Sequence, residues 1–141
     1  MAFITASVSM KAAYIIIPMD ETQANHLKAY GIAYWTLKQE VEIEWLLNYR
    51  GGSFMFRQLS PLENECRIRG VTYSVIADGQ AASILEEIAN PEVNMEVVKL
   101  EKAPKVAVYT PPNKLPWDDA VTMALTYAEI PYEKVYDEEV L

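Results

Sequence analysis

The residues best suited to contact a ligand form the stretch Arg50-Gly51-Gly52-Ser53. A guanidinium is a planar donor for a carboxylate or phosphate, two glycines allow close approach to the backbone, and serine adds a hydroxyl. The stretch contains neither G-x-G-x-x-G nor a Walker lysine. It predicts a site for a small anionic ligand. The alternative is a plain turn in which Arg50 pairs with one of the carboxylates of the chain.

Asp20 and Asp78 are the acidic residues that follow apolar runs and precede predicted helices. In such positions a carboxylate can contact a ligand or act as an acid or base, and it can equally cap the helix. We include both residues in the candidate site, with the capping interpretation left open.

The chain offers little for catalysis or metal binding. It has one cysteine, Cys66, and one histidine, His26, and nothing in the sequence places the two together. A buried thiol is the structural interpretation of Cys66, and one His with one Cys cannot form the usual zinc sites. The sequence therefore predicts no catalytic residue, no metal and no cofactor.

The charge of the chain limits its partners. Twelve basic and twenty acidic residues give a formal net charge of -8, which disfavours nucleic acid and anionic membrane surfaces. No stretch has the length of a transmembrane helix. The partners that remain are a small anionic ligand, and a protein or a second copy bound at a sheet edge.

The first elements read as a strand, a helix and a strand. Residues 14–17 are a short apolar run, and residues 21–39 follow as a helix after a capping box of Asp20 and Gln23. The predicted buried face of this helix is set by spacings of three and four residues, at Leu27, Tyr30, Gly31, Tyr34 and Leu37. Residues 41–47 alternate with a period of two. A βαβ unit of this kind predicts an α/β fold with an open, mostly parallel sheet, Rossmann-like or flavodoxin-like, whose carboxyl-end loops share one edge.

The rest of the chain shows further elements of the same kinds. Residues 54–56 extend the apolar surface, and helices and strands are expected in the order helix 60–69, strand 71–77, helix 78–89, strand 95–100, strand 106–109, helix from 116 and strand 132–136. The helix at 78–89 should be ended by Asn90-Pro91. The predicted buried faces are Ile84, Leu85 and Ile88 on that helix, and Val121, Leu125 and Ala128 on the helix from 116. The predicted organisation is an N-terminal tail at 1–11, an α/β domain at 12–101, and a further βαβ unit at 104–141. That unit either joins the same sheet or begins a second, truncated domain.

Residues 1–11 are apolar and small up to Lys11, as in the tail of a secretory signal, but they lack a basic start. If they are a signal remnant, the protein is exported or periplasmic. If they are an ordinary N-terminus, it is cytoplasmic.

Several motifs together resemble a known group. They are Ile17-Pro18-Met19-Asp20 and the segments 26–35, 45–54 and 105–139. They look like the N-terminal part of larger bacterial proteins, often exported, that carry the label asparagine synthetase B. The resemblance covers nearly the whole chain from Lys11. The segment from Lys105 is also similar in layout to the start of a class I glutamine amidotransferase-like α/β domain.

The resemblance implies a piece of a longer family member. Ala2 stands where asparagine synthetase B enzymes have their catalytic cysteine, and no pyrophosphatase-type ATP loop is visible. No catalytic residue is carried over, and we expect no glutaminase or synthetase activity. Two hypotheses remain: a noncatalytic domain that binds a small anionic ligand at carboxyl-end loops, and a fragment of an amidotransferase-like or synthetase-related enzyme whose catalytic residues lie elsewhere.

Overall fold

The computed structural model describes residues 13–109 and 119–135. In chain order the elements are β1 (Ala13–Ile17), α1 (His26–Lys38), β2 (Ile43–Leu47), β3 (Ser53–Arg57), α2 (Ser60–Ile68), β4 (Ser74–Ala77), α3 (Asp78–Ala89), β5 (Glu96–Leu100), β6 (Val106–Tyr109), α4 (Asp119–Tyr127) and β7 (Tyr132–Val135). The predicted tail at 1–11, the start of the helix predicted from 116 and the chain after 135 lie outside the described residues.

Strands β1 to β5 form one open sheet in the order β4-β1-β3-β2-β5, and every neighbouring pair is antiparallel. The predicted mostly parallel sheet, Rossmann-like or flavodoxin-like, is therefore wrong. The physical reason is β3: Phe56 on this strand lies opposite both Ile15 of β1 and Ile43 of β2. β1 and β2 do run in the same direction, but an antiparallel strand separates them.

The connectivity β1-α1-β2-β3-α2-β4 with the strand order 4-1-3-2 is the ferredoxin-like arrangement, in which a βαβ unit is split by an inserted strand. Helix α3 then crosses from β4 to β5 at the opposite edge of the sheet. Residues 54–56, predicted only to extend the apolar surface, thus belong to a central strand of the sheet. Phe54, Met55 and Phe56 are buried.

Helices α1 and α2 cover one face of this sheet. Ile15, Ile17 and Ile43 have no exposed surface there, and burial of each such side chain contributes about 1.5–3 kcal/mol relative to an exposed one. The helices contribute small and medium side chains to the same cluster: Ala29, Ile32, Ala33, Leu37, Leu62 and Cys66.

Helix α3 packs on the other face, as its predicted apolar residues imply. Ile88 is buried against Ile16, Leu46 and Met55, and Ile84 and Leu85 pack at the margin. Among the described helices only α3 packs on this face, and part of the face has none of them above it.

Helix α1 begins later than predicted. Its N-cap is Asn25, whose Oδ1 accepts a hydrogen bond from the Lys28 backbone N–H at 3.1 Å. Gln23, predicted as part of a capping box with Asp20, is buried and donates from Nε2 to the carbonyls of Pro18 and Thr72 at 2.8 and 3.0 Å. The polar residues after β1 therefore build a loop and do not start the helix.

The buried face of α1 matches the predicted one only in part, at Gly31 and Leu37. Leu27 and Tyr30 are 42% and 47% exposed, whereas Ala29 and Ile32 are fully buried. Small residues at the contact let the helix backbone approach the sheet closely, so the larger side chains lie at the flanks.

Strands β6 and β7 pair in parallel, with α4 between them in the chain. This is the strand-helix-strand order predicted for the last segment, and it forms a two-stranded sheet separate from the five-stranded one. The end of α4 packs on α1, where Ala128 is 2% exposed. Val121, predicted to be buried, is 53% exposed.

Candidate functional site

The turn between β2 and β3 holds the predicted site residues Arg50, Gly51 and Gly52. Asn48, Arg50, Gly51 and Gly52 all have positive φ angles, between 46° and 93°, which is a common requirement of tight hairpin turns. The backbone N–H groups of Gly52 and Ser53 both donate to the Tyr49 carbonyl at 3.0 Å. The two glycines therefore serve the turn itself.

This turn lies against the loop after β1. The Met19 backbone N–H donates to the Arg50 carbonyl at 3.0 Å, and a Cβ on Gly51 would overlap the carbonyl of Met19. Gly51 does allow another group to approach the backbone closely, as expected, but that group is the Met19 carbonyl of the chain itself and not a ligand.

Arg50 and Asp20 are brought together, because the carboxyl ends of β1 and β2 share one edge. Arg50 Nε donates to Asp20 Oδ2 at 3.0 Å, and Arg50 Nη2 donates to the Thr22 hydroxyl at 3.2 Å. The Thr22 hydroxyl and backbone N–H donate to Asp20 Oδ1. The hydrogen bond from the Thr22 hydroxyl, followed by the weaker contributions of its backbone N–H and of Arg50, lowers the pKa of Asp20 below its ordinary value of 3.8. Arg50 therefore pairs with a carboxylate of the chain, as the alternative interpretation of this stretch as a plain turn predicts.

The remaining polar atoms of the cluster are also used within the chain. Ser53 is fully buried and donates from Oγ to the Tyr49 carbonyl at 2.9 Å. The Gly52 carbonyl accepts from Trp45 Nε1 at 3.1 Å, and His26 Nε2 donates to the carbonyls of Met19 and Asp20, each at 3.0 Å. These contacts fix the shape of the loop, and an external anion would have to compete with the Asp20 carboxylate for Arg50.

Asp78 does not join this cluster. Ala77 lies opposite Ala13, the first residue of β1, so Asp78 is at the edge of the sheet where β1 begins, away from Asp20. The expectation of one shared edge assumed parallel strands, and β4 runs antiparallel to β1. Asp78 is the first residue of α3, and the Ala77 backbone N–H donates to Gln80 Oε1 at 3.0 Å. The side chain that caps the start of α3 is therefore Gln80.

A second concave surface lies on the sheet face that α3 leaves open. We call it the sheet groove; it has a volume of about 480 Å³ and is lined by Tyr14, Glu40, Val41, Glu42, Glu44, Met55, Arg57, Leu59 and Lys99. Its floor is built by strand alternation, which places Tyr14, Met55, Arg57 and Glu44 on the same side of adjacent strands. The opening is at the end of the sheet away from the Arg50 turn.

The charges of the sheet groove are only partly paired. Lys99 Nζ lies 3.0 Å from Glu42 Oε2. Arg57 is exposed and makes no ion pair within the described segments. Burial raises the pKa of Glu44, with the nearby charge of Lys99 acting in the opposite direction. The groove therefore presents an open guanidinium beside a half-buried carboxylate.

Sequence reasoning missed these groove residues. A signal was present: Glu44 occupies the middle of a strand whose neighbours Ile43 and Leu46 are fully buried, and Arg57 ends an apolar strand. The period-two alternation of residues 41–47 predicts only a strand with one face partly exposed to water, where a glutamate needs no partner. Without β3 in the sheet, no pattern could place Arg57 beside Glu44.

The other reactive groups have structural surroundings. Cys66 is fully buried, and burial, with the nearby Glu63 carboxylate, raises the pKa of its thiol to about 12. Within 13–109 and 119–135, no three His, Cys, Asp or Glu side chains cluster as metal ligands would. None of the helices in that part of the chain is long and apolar enough to span a membrane.

The fold and the groove define an α/β domain of ferredoxin-like connectivity with a polar groove on its open sheet face. Comparison of the chain with family models, curated proteins and solved structures finds no match. The resemblance to proteins labelled asparagine synthetase B, and the hypothesis of an enzyme fragment, stay predictions.

Proposed function

We propose that this chain is a noncatalytic binding domain for a small ligand that carries an anionic group, and that the ligand binds in the sheet groove. The observation that carries the proposal is the contrast between two arginines. Arg50 donates hydrogen bonds to Asp20 and Thr22, whereas Arg57 lies on a concave surface with no ion-pair partner in the described residues. An unpaired guanidinium is a strong donor for a carboxylate or phosphate.

The floor of the sheet groove supports the same proposal. Tyr14 lies directly opposite Arg57, and Met55 is buried beside it. Ligand sites commonly combine such apolar surface with a few oriented polar groups. The floor consists of the neighbouring strands β1, β3, β2 and β5, which pair through continuous registers, so it is formed by hydrogen-bonded sheet.

Thermal unfolding with a ligand panel tests the proposal. The panel contains inorganic phosphate, nucleotides, amino acids and dicarboxylates, because a ligand that binds only the folded state raises the Tm. We expect one class to raise the Tm of the parent chain and to have no effect on Arg57→Ala. The matched variant Arg50→Ala should have a lower Tm without ligand, since it loses the contact between two loops, but should keep the ligand-induced shift. A shift that survives in Arg57→Ala and vanishes in Arg50→Ala would place the ligand at the turn and overturn the proposal for the groove.

The prediction of a second copy at a sheet edge is retained as a separate proposal. Strands β4 and β5 are the edges of the five-stranded sheet, and Val75 on β4 is 47% exposed. Edge strands with exposed apolar side chains favour pairing between chains. Light scattering after size exclusion should show a dimer that Val75→Lys converts to a monomer. A monomer in the parent chain at high concentration would contradict this proposal.

A further inference from the structure

The chemical class of the groove ligand can be inferred from the positions of Arg57 and Glu44, an inference that rests on the function proposed above. Glu44 on β2 lies opposite Met55 on β3, and Arg57 follows Met55 by two residues. Arg57 and Glu44 are therefore diagonal neighbours on one sheet face, and their side chains start about 7–8 Å apart. No ion pair joins them, so both charged groups are open to the groove.

The nearest alternative partner of Glu44 is already engaged. Lys99 lies opposite Glu44 in the register of β2 and β5, but its ammonium is paired with Glu42 at 3.0 Å. Within residues 13–109 and 119–135, Glu44 makes no ion pair, and Lys99 acts on it only as a nearby charge. A half-buried carboxylate in this position gains most from a cationic group supplied by a ligand.

The overall charge of the lining selects against simple anions. Three carboxylates, those of Glu40, Glu42 and Glu44, face two cations, Arg57 and Lys99. A phosphate or dicarboxylate would gain Arg57 but would meet this net negative surface, and like charges repel strongly in a half-buried site. A divalent cation is also disfavoured, because the glutamates do not converge as metal ligands would in the described part of the chain.

We propose that the sheet groove binds a small zwitterion of the α-amino acid type, with its carboxylate on the Arg57 guanidinium and its ammonium on the Glu44 carboxylate. Such a ligand is neutral overall, and its two charged groups are separated by a single carbon. It fits the diagonal gap between the two side chains and adds one charge-assisted contact at each end. The Tyr14 ring and the Met55 side chain then lie beneath the carbon skeleton.

Calorimetric titration of the full chain tests the contribution of each charged group of the ligand separately. The probes are the common α-amino acids, and for the best of them the matched carboxylic acid without the amine and the matched amine without the carboxylate. Glu44→Gln removes the negative charge at constant size, and Arg57→Gln removes the positive charge and shortens the side chain. Glu96→Gln is the control, because Glu96 is exposed on the edge strand β5 and is not part of the groove lining. Circular dichroism melts confirm that each variant is folded.

We expect an amino acid to bind, and each half-molecule and each groove variant to bind about tenfold or more weakly, which corresponds to about 1.4 kcal/mol. Glu96→Gln should bind as the parent does. If the carboxylic acid binds as tightly as the amino acid and Glu44→Gln has no effect, the zwitterion inference is overturned while the proposed anion-binding function stands. If no probe of the wider panel binds, both are overturned.

Discussion

Gly31 of α1 lies directly against the backbone carbonyl of Ala128, and a Cβ at position 31 would overlap that oxygen. The contact is a notch that lets the end of α4 approach α1. Around it, Lys28 lies over the Tyr127 ring at 4.6 Å, and Glu129 pairs with Arg69 at 3.2 Å. Within the described residues, the β6-α4-β7 unit thus contacts both α1 and the end of α2.

Gly31→Ala should loosen this attachment. The neighbour is backbone and cannot move aside as a side chain would, so we expect a destabilisation of about 1–3 kcal/mol, the usual cost of overpacking. Hydrogen exchange should show faster exchange of the α4 amides, with β1 and β3 still protected. The result that contradicts the notch is a gain in stability, which alanine alone would give in an unobstructed helix.

Gly51→Ala and Gly79→Ala form a matched pair for the turn. Gly51 has φ +81° and would meet the Met19 carbonyl, whereas Gly79 in α3 has open space around it. We expect Gly51→Ala to lose more than about 1 kcal/mol and Gly79→Ala to gain about 0.4–1 kcal/mol, as helical alanine does. Urea unfolding measures both. Equal effects of the two changes would argue against a tight contact between the turn and the loop after β1.

Acid should release the contact between Asp20 and its partners. The pKa of Asp20 is lowered in the folded chain, so its contribution to stability is present above the unfolded pKa and is lost as the pH falls through the folded pKa. Because the Thr22 hydroxyl is the main cause, Thr22→Val should raise the pKa of Asp20 more than Arg50→Gln does. Carboxyl ¹³C NMR titration gives these values directly, and an unchanged Asp20 titration in Thr22→Val would refute the assignment.

Cys66 should be inert in the folded protein. It has no exposed surface, and burial raises the pKa of its thiol to about 12, so very little thiolate exists near neutral pH. A disulfide reagent should modify one thiol after unfolding in urea and almost none before. Rapid modification of the native chain would mean that α2 opens frequently.

The sequence was sufficient for most elements and insufficient for their arrangement. Helix α3 begins and ends where its apolar spacing and Asn90 predicted, since local signals determine both ends. The predicted strand directions were wrong because residues 54–56 were not recognised as a separate strand of the sheet. The glycine pair at Gly51 and Gly52, between two runs of alternating or apolar residues, is typical of a hairpin. A hairpin there places β3 antiparallel beside β2, whereas the pairing of β3 with β1 is a long-range contact.

For the candidate site, too, the sequence predicted some positions correctly and others wrongly. The proximity of Asp20 and Arg50 follows from β1 and β2 running in one direction, which the prediction had right even though the two strands are not adjacent. Asp78 was misplaced because the direction of β4 depends on β3. The facing of Arg57 and Glu44 depends on strand register, which is set by long-range packing and cannot be read from either segment alone.

The hairpin turn at 48–52 also bears on the order in which the chain folds. In the five-stranded sheet, only β2 and β3 are joined directly by a turn; every other neighbouring pair closes across at least one helix. Since short loops close with the least entropy loss, we expect the two strands to pair early and to provide both surfaces on which β1 and β5 then assemble. Substitutions in the turn should then slow refolding, whereas those in β4 should mainly speed unfolding, a difference that the two limbs of a chevron plot would show.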